Sequence, residues 1–90
     1  MPRYLVERAF PDGFQLPADA SGVRSCVAMI ECNVQERVSW LRSYVSMDKR
    51  RAYCIYEGPS PEAIRRAANR NRLPIQKITE VSVLEPYSYL

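Results

Sequence analysis

The chain contains no histidine at all. Imidazole is the commonest general base near neutral pH and the commonest transition-metal ligand, so its absence removes the usual routes to both chemistries. Cysteine is scarce as well. Cys26, Cys32 and Cys54 are odd in number and irregular in spacing, which does not suggest a disulfide framework. Cys26 and Cys32 stand six apart on a predicted helix and so fall on different faces, a poor metal pair. All three read as buried thiols behaving as small hydrophobes. No apolar run approaches the roughly 18 residues of a spanning helix, and no membrane association is expected. The opening residues, Met1-Pro2-Arg3-Tyr4-Leu5-Val6-Glu7, carry no apolar core of a signal peptide, so a cytoplasmic location is predicted. Internal repeats and low-complexity segments are also lacking.

A large charge surplus is missing too. The net charge is +3, with basic residues gathered in Lys49-Arg50-Arg51 and in Arg65, Arg66, Arg70 and Arg72. That excess is too small to demand a polyanionic partner. The arginine group reads as a solvated helix face.

What is present is a single-domain complement of 90 residues, 47% of them hydrophobic. A chain this short buries roughly two thirds of its unfolded surface, and a second subunit is expected to cover its sheet. Residues 3–9 alternate as a strand, and Pro11-Asp12-Gly13 follows as a turn. Between residues 18 and 34, Val23, Cys26, Val27, Ile30 and Val34 fall at helical spacing, with Gly22 weakening the start. Residues 38–47 and 51–57 form two strand-like runs around the polar link Asp48-Lys49-Arg50. Ser60 and Pro61 predict the start of a second helix, with Glu62 complementing its dipole and Pro74 ending it. Residues 78–85 read as the last strand.

The order β-α-β-β-α-β predicts an α+β, ferredoxin-like domain spanning residues 1–90. Its four-stranded antiparallel sheet carries two helices on one face. Alternation divides the side chains of a strand between the two faces. Val6, Leu41, Val45, Cys54, Val81 and Val83 are predicted beneath the helices. Leu5, Glu7, Trp40, Arg42, Tyr44, Tyr53, Ile55, Ile78 and Glu80 are predicted on the open face. An exposed patch of that kind marks an interface or a binding groove. Two copies packing sheet to sheet would bury it and enclose a cavity, so a homodimer is expected.

Tyr4-Leu5-Val6-Glu7-Arg8, the stretch Trp40-Leu41-Arg42-Ser43-Tyr44-Val45, the run from Tyr53 through Gly58-Pro59-Ser60-Pro61 to Arg65, and Ile78-Thr79-Glu80-Val81 resemble one group of proteins. These are small bacterial single-domain proteins long catalogued as a domain of unknown function, with an actinomycete member described as nickel-binding or nickel-responsive. The resemblance covers nearly the whole chain and implies a ferredoxin-like fold of the dimeric α+β barrel group. Relatives commonly read Trp-x-His-Ser-Tyr where this chain has Trp40-Leu41-Arg42-Ser43-Tyr44. Arginine is permanently cationic and a poor metal ligand, so a nickel site resting on that histidine would be abolished here.

The candidate ligand-binding residues are Glu7, Trp40, Arg42, Tyr44, Tyr53 and Glu80. Arg42 is expected either to pair with Glu7 or Glu80 or to anchor a carboxylate or phosphate through its bidentate fork. Trp40, Tyr44 and Tyr53 form an aromatic wall for a flat ligand or for dimer packing. RNA binding is disfavoured: Ile55 occupies the second aromatic place that such sheets use, and the adjacent glycine is missing. The first expectation is therefore a non-enzymatic homodimer binding a small ligand or a nickel-type metal ion. The second is a dimeric-barrel enzyme, an isomerase or cofactor-independent monooxygenase acting on a small aromatic or anionic compound. In it, Arg42 would stabilise negative charge while a glutamate or tyrosine moved protons.

Overall fold

A computed structural model describes residues 1–89. Strands β1 (Arg3–Ala9), β2 (Ser39–Val45), β3 (Arg51–Glu57) and β4 (Lys77–Val81) alternate with helices α1 (Ala20–Gln35) and α2 (Pro61–Arg70); a short 3-10 turn, Pro86–Tyr89, follows β4. The strands form one sheet in the order β2-β3-β1-β4, antiparallel throughout. This is the ferredoxin-like arrangement expected from the element order. Among the described residues no helix is long and apolar enough to cross a membrane.

Local chemistry explains where the elements begin and stop. The Asp19 side chain accepts from the Ser21 and Gly22 amides at 2.9 and 3.0 Å and starts α1. Ser60 does the same for α2 through the Ala63 amide, with Pro61 at the first helical position. Both helices end in a Schellman turn with arginine in the left-handed region. After α1, Arg37 has φ 59° and Val38 bonds back to the Asn33 carbonyl; after α2, Arg72 has φ 55° and Leu73 bonds back to Ala68.

Tyr4, Val6 and Val38, with Ala52, Cys54 and Tyr56, make a core against Ala63, Ile64 and Ala67 of α2. Ala63, Ile64, Ala67 and Ala68 form the buried face of α2. Helix α1 is different. Only Gly22 and Asn33 of it are buried, and its apolar stripe points outward, with Val23 62% and Val34 66% exposed. The helical spacing of that stripe is real, but it does not mark the inner face.

Five face assignments are corrected by the register. Trp40 pairs with Tyr56 whereas Arg42 pairs with Ile55, so Leu41 is an extra residue in a β-bulge. The bulge inverts the alternation midway along β2. Trp40 therefore turns toward the helices, away from Arg42 and Tyr44, and Leu41 is exposed. In β4, Ile78 pairs with Val6 and packs on the core, which carries Glu80 to the helix side and Val81 to the open face. Strand β4 ends at Val81, leaving Val83 outside the ladder and exposed.

Candidate functional site

The sheet rows show which predicted site residues meet. One open-face row runs Arg42, Ile55, Leu5, Thr79, and the next runs Tyr44, Tyr53, Glu7, Lys77. Glu7, Arg42, Tyr44 and Tyr53 thus share the open face, while Trp40 and Glu80 lie on the other. Arg42 makes no ion pair among the described residues; the pairs present are Arg3–Glu57 and those of Glu36 with Arg66 and Arg70. The reason is topological. Strand β3 lies between β2 and β1, placing Arg42 about 10 Å from the β1 backbone. Glu80 is on the far edge strand and on the opposite face.

A cavity of about 550 Å³ opens between α1 and the sheet. Its floor is the inward face of three strands: Arg8 of β1, Trp40, Ser43 and Val45 of β2, and Ala52, Cys54 and Tyr56 of β3. Its roof is Met29 and Asn33 of α1 with the segment carrying Phe10, Phe14, Leu16 and Pro17. Asn71 and Leu73 close the end beyond α2. The Phe10 and Phe14 rings lie 4.9 Å apart and make one wall.

Gly22 permits this roof to form. A Cβ on Gly22 would lie 1.6 Å from the Pro17 carbonyl oxygen, so only glycine lets the segment cross the start of α1. At the cavity's edge and beyond it, polar contacts tie α1 to α2 and the residue that ends it. Asn71 donates to the Asn33 side chain at 3.2 Å, and Glu36 accepts from Arg66 at 2.8 Å and from Arg70 at 3.2 Å. The Arg66 hydrogen bond, opposed by desolvation and aided by the charges of both arginines, holds the Glu36 carboxyl below its ordinary value.

The floor is a line of hydrogen-bonding groups in a mainly apolar chamber. Trp40 Nε1 donates to Ser43 Oγ at 2.8 Å, and Ser43 Oγ donates to Cys54 Sγ at 2.9 Å. Beside them, Arg8 is 3% exposed. It donates to the Pro74 carbonyl at 2.8 Å and to the Tyr56 hydroxyl at 3.1 Å. Burial pushes the Tyr56 hydroxyl above the ordinary phenol value, against the opposing charge of Arg8.

Arg8 is the residue that sequence reasoning missed. The signal was its alternation with Tyr4 and Val6, which puts a guanidinium on the inward parity of β1. Cys54 is buried on the helix side, as its parity predicted.

A nickel site does not fit the side chains of one copy. Nickel favours imidazole nitrogen, which this chain lacks, and thiolate sulfur. Among the described residues, no three His, Cys, Asp or Glu side chains are grouped so as to hold a metal ion.

The fold and its inner chamber define a small single-domain protein of the ferredoxin-like class. The chain belongs to the SCO4226-like family, described as "Nickel responsive protein SCO4226-like", whose model matches residues 4–81. The crystal structure of SCO4226 from Streptomyces coelicolor A3(2) superposes with a TM-score of 0.73 at 20% identity, covering 92% of this chain and 99% of that one. That likeness establishes the fold. Curated proteins give no match.

Proposed function

We propose that this chain is a non-enzymatic binding protein whose small ligand occupies the cavity between α1 and the sheet. The observation that carries this reading is the chamber itself. Its volume falls in the range of small-molecule sites, its walls are mainly apolar, and a few polar groups converge on its floor. Helix α1 leaves this space open because its inward positions include Gly22 and Asn33 and its valines point away.

We further propose that two copies associate through the open sheet face. Tyr44 is 59% exposed there, beside the exposed Tyr53 and the half-buried Leu5 and Ile55. An exposed apolar patch on a sheet favours a partner. A cytoplasmic location belongs to the same reading. In a family described as nickel-responsive, the donor set of this chain favours a small molecule over nickel held by one copy's side chains.

Trp40 is the sole tryptophan and lines the cavity, so it reports occupancy directly. Its emission is to be followed against a panel of small aromatic and aliphatic acids, amides and alcohols, with Ala52→Leu as the cavity-filling variant. A saturable change in the unaltered protein, lost in the variant, is expected. Emission and melting temperature indifferent to the whole panel would sink the reading.

A further inference from the structure

We propose that the cavity takes an organic carboxylate with a flat apolar body, anchored by Arg8. This rests on the cavity being a ligand site and goes on to name the ligand's chemical class.

A guanidinium presents five N–H donors and cannot lose its proton at any pH the protein meets. Arg8 uses two of these donors, on the Pro74 carbonyl and the Tyr56 hydroxyl. Its Nε is buried and has no partner among the described residues. Neither acceptor is charged, and no carboxylate among the described residues lies within ion-pair distance of Arg8. A buried cation in this condition is costly, because desolvation is uncompensated by an opposite charge. Exposed arginines such as Arg42 and Arg65 have no carboxylate partner among the described residues but are open to water; the buried Arg8 has neither solvent nor a carboxylate.

The chamber around it matches this need. Its lining includes Arg8 and Lys49 but no aspartate or glutamate. An anion entering would therefore meet positive charge without opposing carboxylates. A terminal N–H of the guanidinium that neither the Pro74 carbonyl nor the Tyr56 hydroxyl takes is the donor that a carboxylate in the chamber would accept, whereas the Nε–H is sealed by packed atoms and gives the cation no compensation. Phe10, Phe14, Leu16 and Trp40 supply an apolar wall for the rest of the molecule. Such a wall excludes the strongly hydrated dianion of a phosphate monoester but accepts a monoanion with an aromatic or aliphatic body.

The test uses three probes of one shape on the full chain: 2-naphthoate, 2-naphthamide and 2-naphthyl phosphate. Binding is read by calorimetry and Trp40 emission at fixed salt. The unaltered protein is expected to prefer 2-naphthoate to 2-naphthamide by about tenfold or more, the range of a charge-assisted hydrogen bond. In Arg8→Met, the preference is expected to vanish while the amide still binds, which shows the chamber intact. Equal affinity of the unaltered protein for acid and amide would overturn the anchor but leave the cavity a ligand site. Preference for the phosphate would overturn the carboxylate assignment. Binding of none of the three would overturn this proposal, while the broader panel decides the cavity reading. The comparison among probes on the unaltered chain holds whether or not the variant folds.

Discussion

Arg8 donates to the Tyr56 hydroxyl at 3.1 Å, and its guanidinium carbon lies 5.7 Å from the centre of the Tyr56 ring. The two side chains lean toward each other along the inner face of the sheet, across the register pair Val6–Cys54 that lies between their positions. The contact orients a buried cation at the edge of a cavity. It couples β1 to β3 beneath the space where a ligand would sit.

Removing that hydroxyl tests the coupling. Tyr56→Phe is expected to cost about 2 kcal/mol, the worth of a buried hydrogen bond to a charged group. Urea unfolding at neutral pH would measure it. An unchanged midpoint would mean that the bond carries no net stability.

Gly22→Ala probes the cavity roof. The new methyl group cannot coexist with the Pro17 carbonyl, so the segment above the chamber must shift. A loss of about 3 kcal/mol is expected, at the upper end for an overpacked site. Altered near-ultraviolet circular dichroism of the aromatic side chains should accompany it. Retention of full stability would show that the crossing is loose.

The helix ends offer a change in the other direction. Arg72 holds a left-handed conformation that glycine adopts freely, and its side chain makes no hydrogen bond among the described residues. Arg72→Gly should therefore stabilise the fold by about 1 kcal/mol, after allowance for the entropy glycine loses on folding. A melting temperature that falls instead would disprove relief of backbone strain.

Stability should decline on both sides of a neutral plateau. Asp19, Glu36 and Asp48 have carboxyls held below their ordinary values, chiefly by side-chain hydrogen bonds from Ser21, Arg66 and Ser46 respectively. Their folded forms bind protons more weakly than the unfolded chain does. Their contribution is thus complete above the ordinary carboxylate range and is lost as pH falls through the depressed values. Tyr56 acts at the alkaline end: burial raises it above 10.0, so its contribution is complete below that value and is lost as pH rises through the raised one. Melting temperatures from pH 3 to 11 would trace both limbs, and Asp19→Asn should flatten the acid one.

Association through the open face can be separated from folding. Tyr44→Glu places a charge on the exposed surface and is expected to shift sedimentation from dimer to monomer, with helical content unchanged. Dimers that persist in this variant would place the contact elsewhere.

Much of the architecture was legible from local pattern. The alternation in residues 3–9 and the Ser60-Pro61 helix start act within a few residues, and both appear where expected. The element order then leads to the ferredoxin-like topology. Cys54 likewise showed its inward parity. Alternation placed Glu7 and Arg42 on the open face correctly, but their expected pairing was not legible, because a strand's faces do not reveal the strand order that puts β3 between them. The face of Glu80 depended on the register of β4 against β1.

Three features were decided only by tertiary structure. The bulge at Leu41 depends on pairing with β3, and it alone reverses Trp40 relative to Arg42. The outward valines of α1 have the same periodicity as an inward stripe; only the helix's placement distinguishes them. The cavity is a space between elements, so no single segment carries it. The sequence by itself determined the order and approximate extent of the strands and helices, since side-chain spacing and capping act locally, though the last strand stops at Val81 rather than running to residue 85. The fold decided that Arg8 lies buried beside an apolar chamber, because burial is a property of everything packed around a residue.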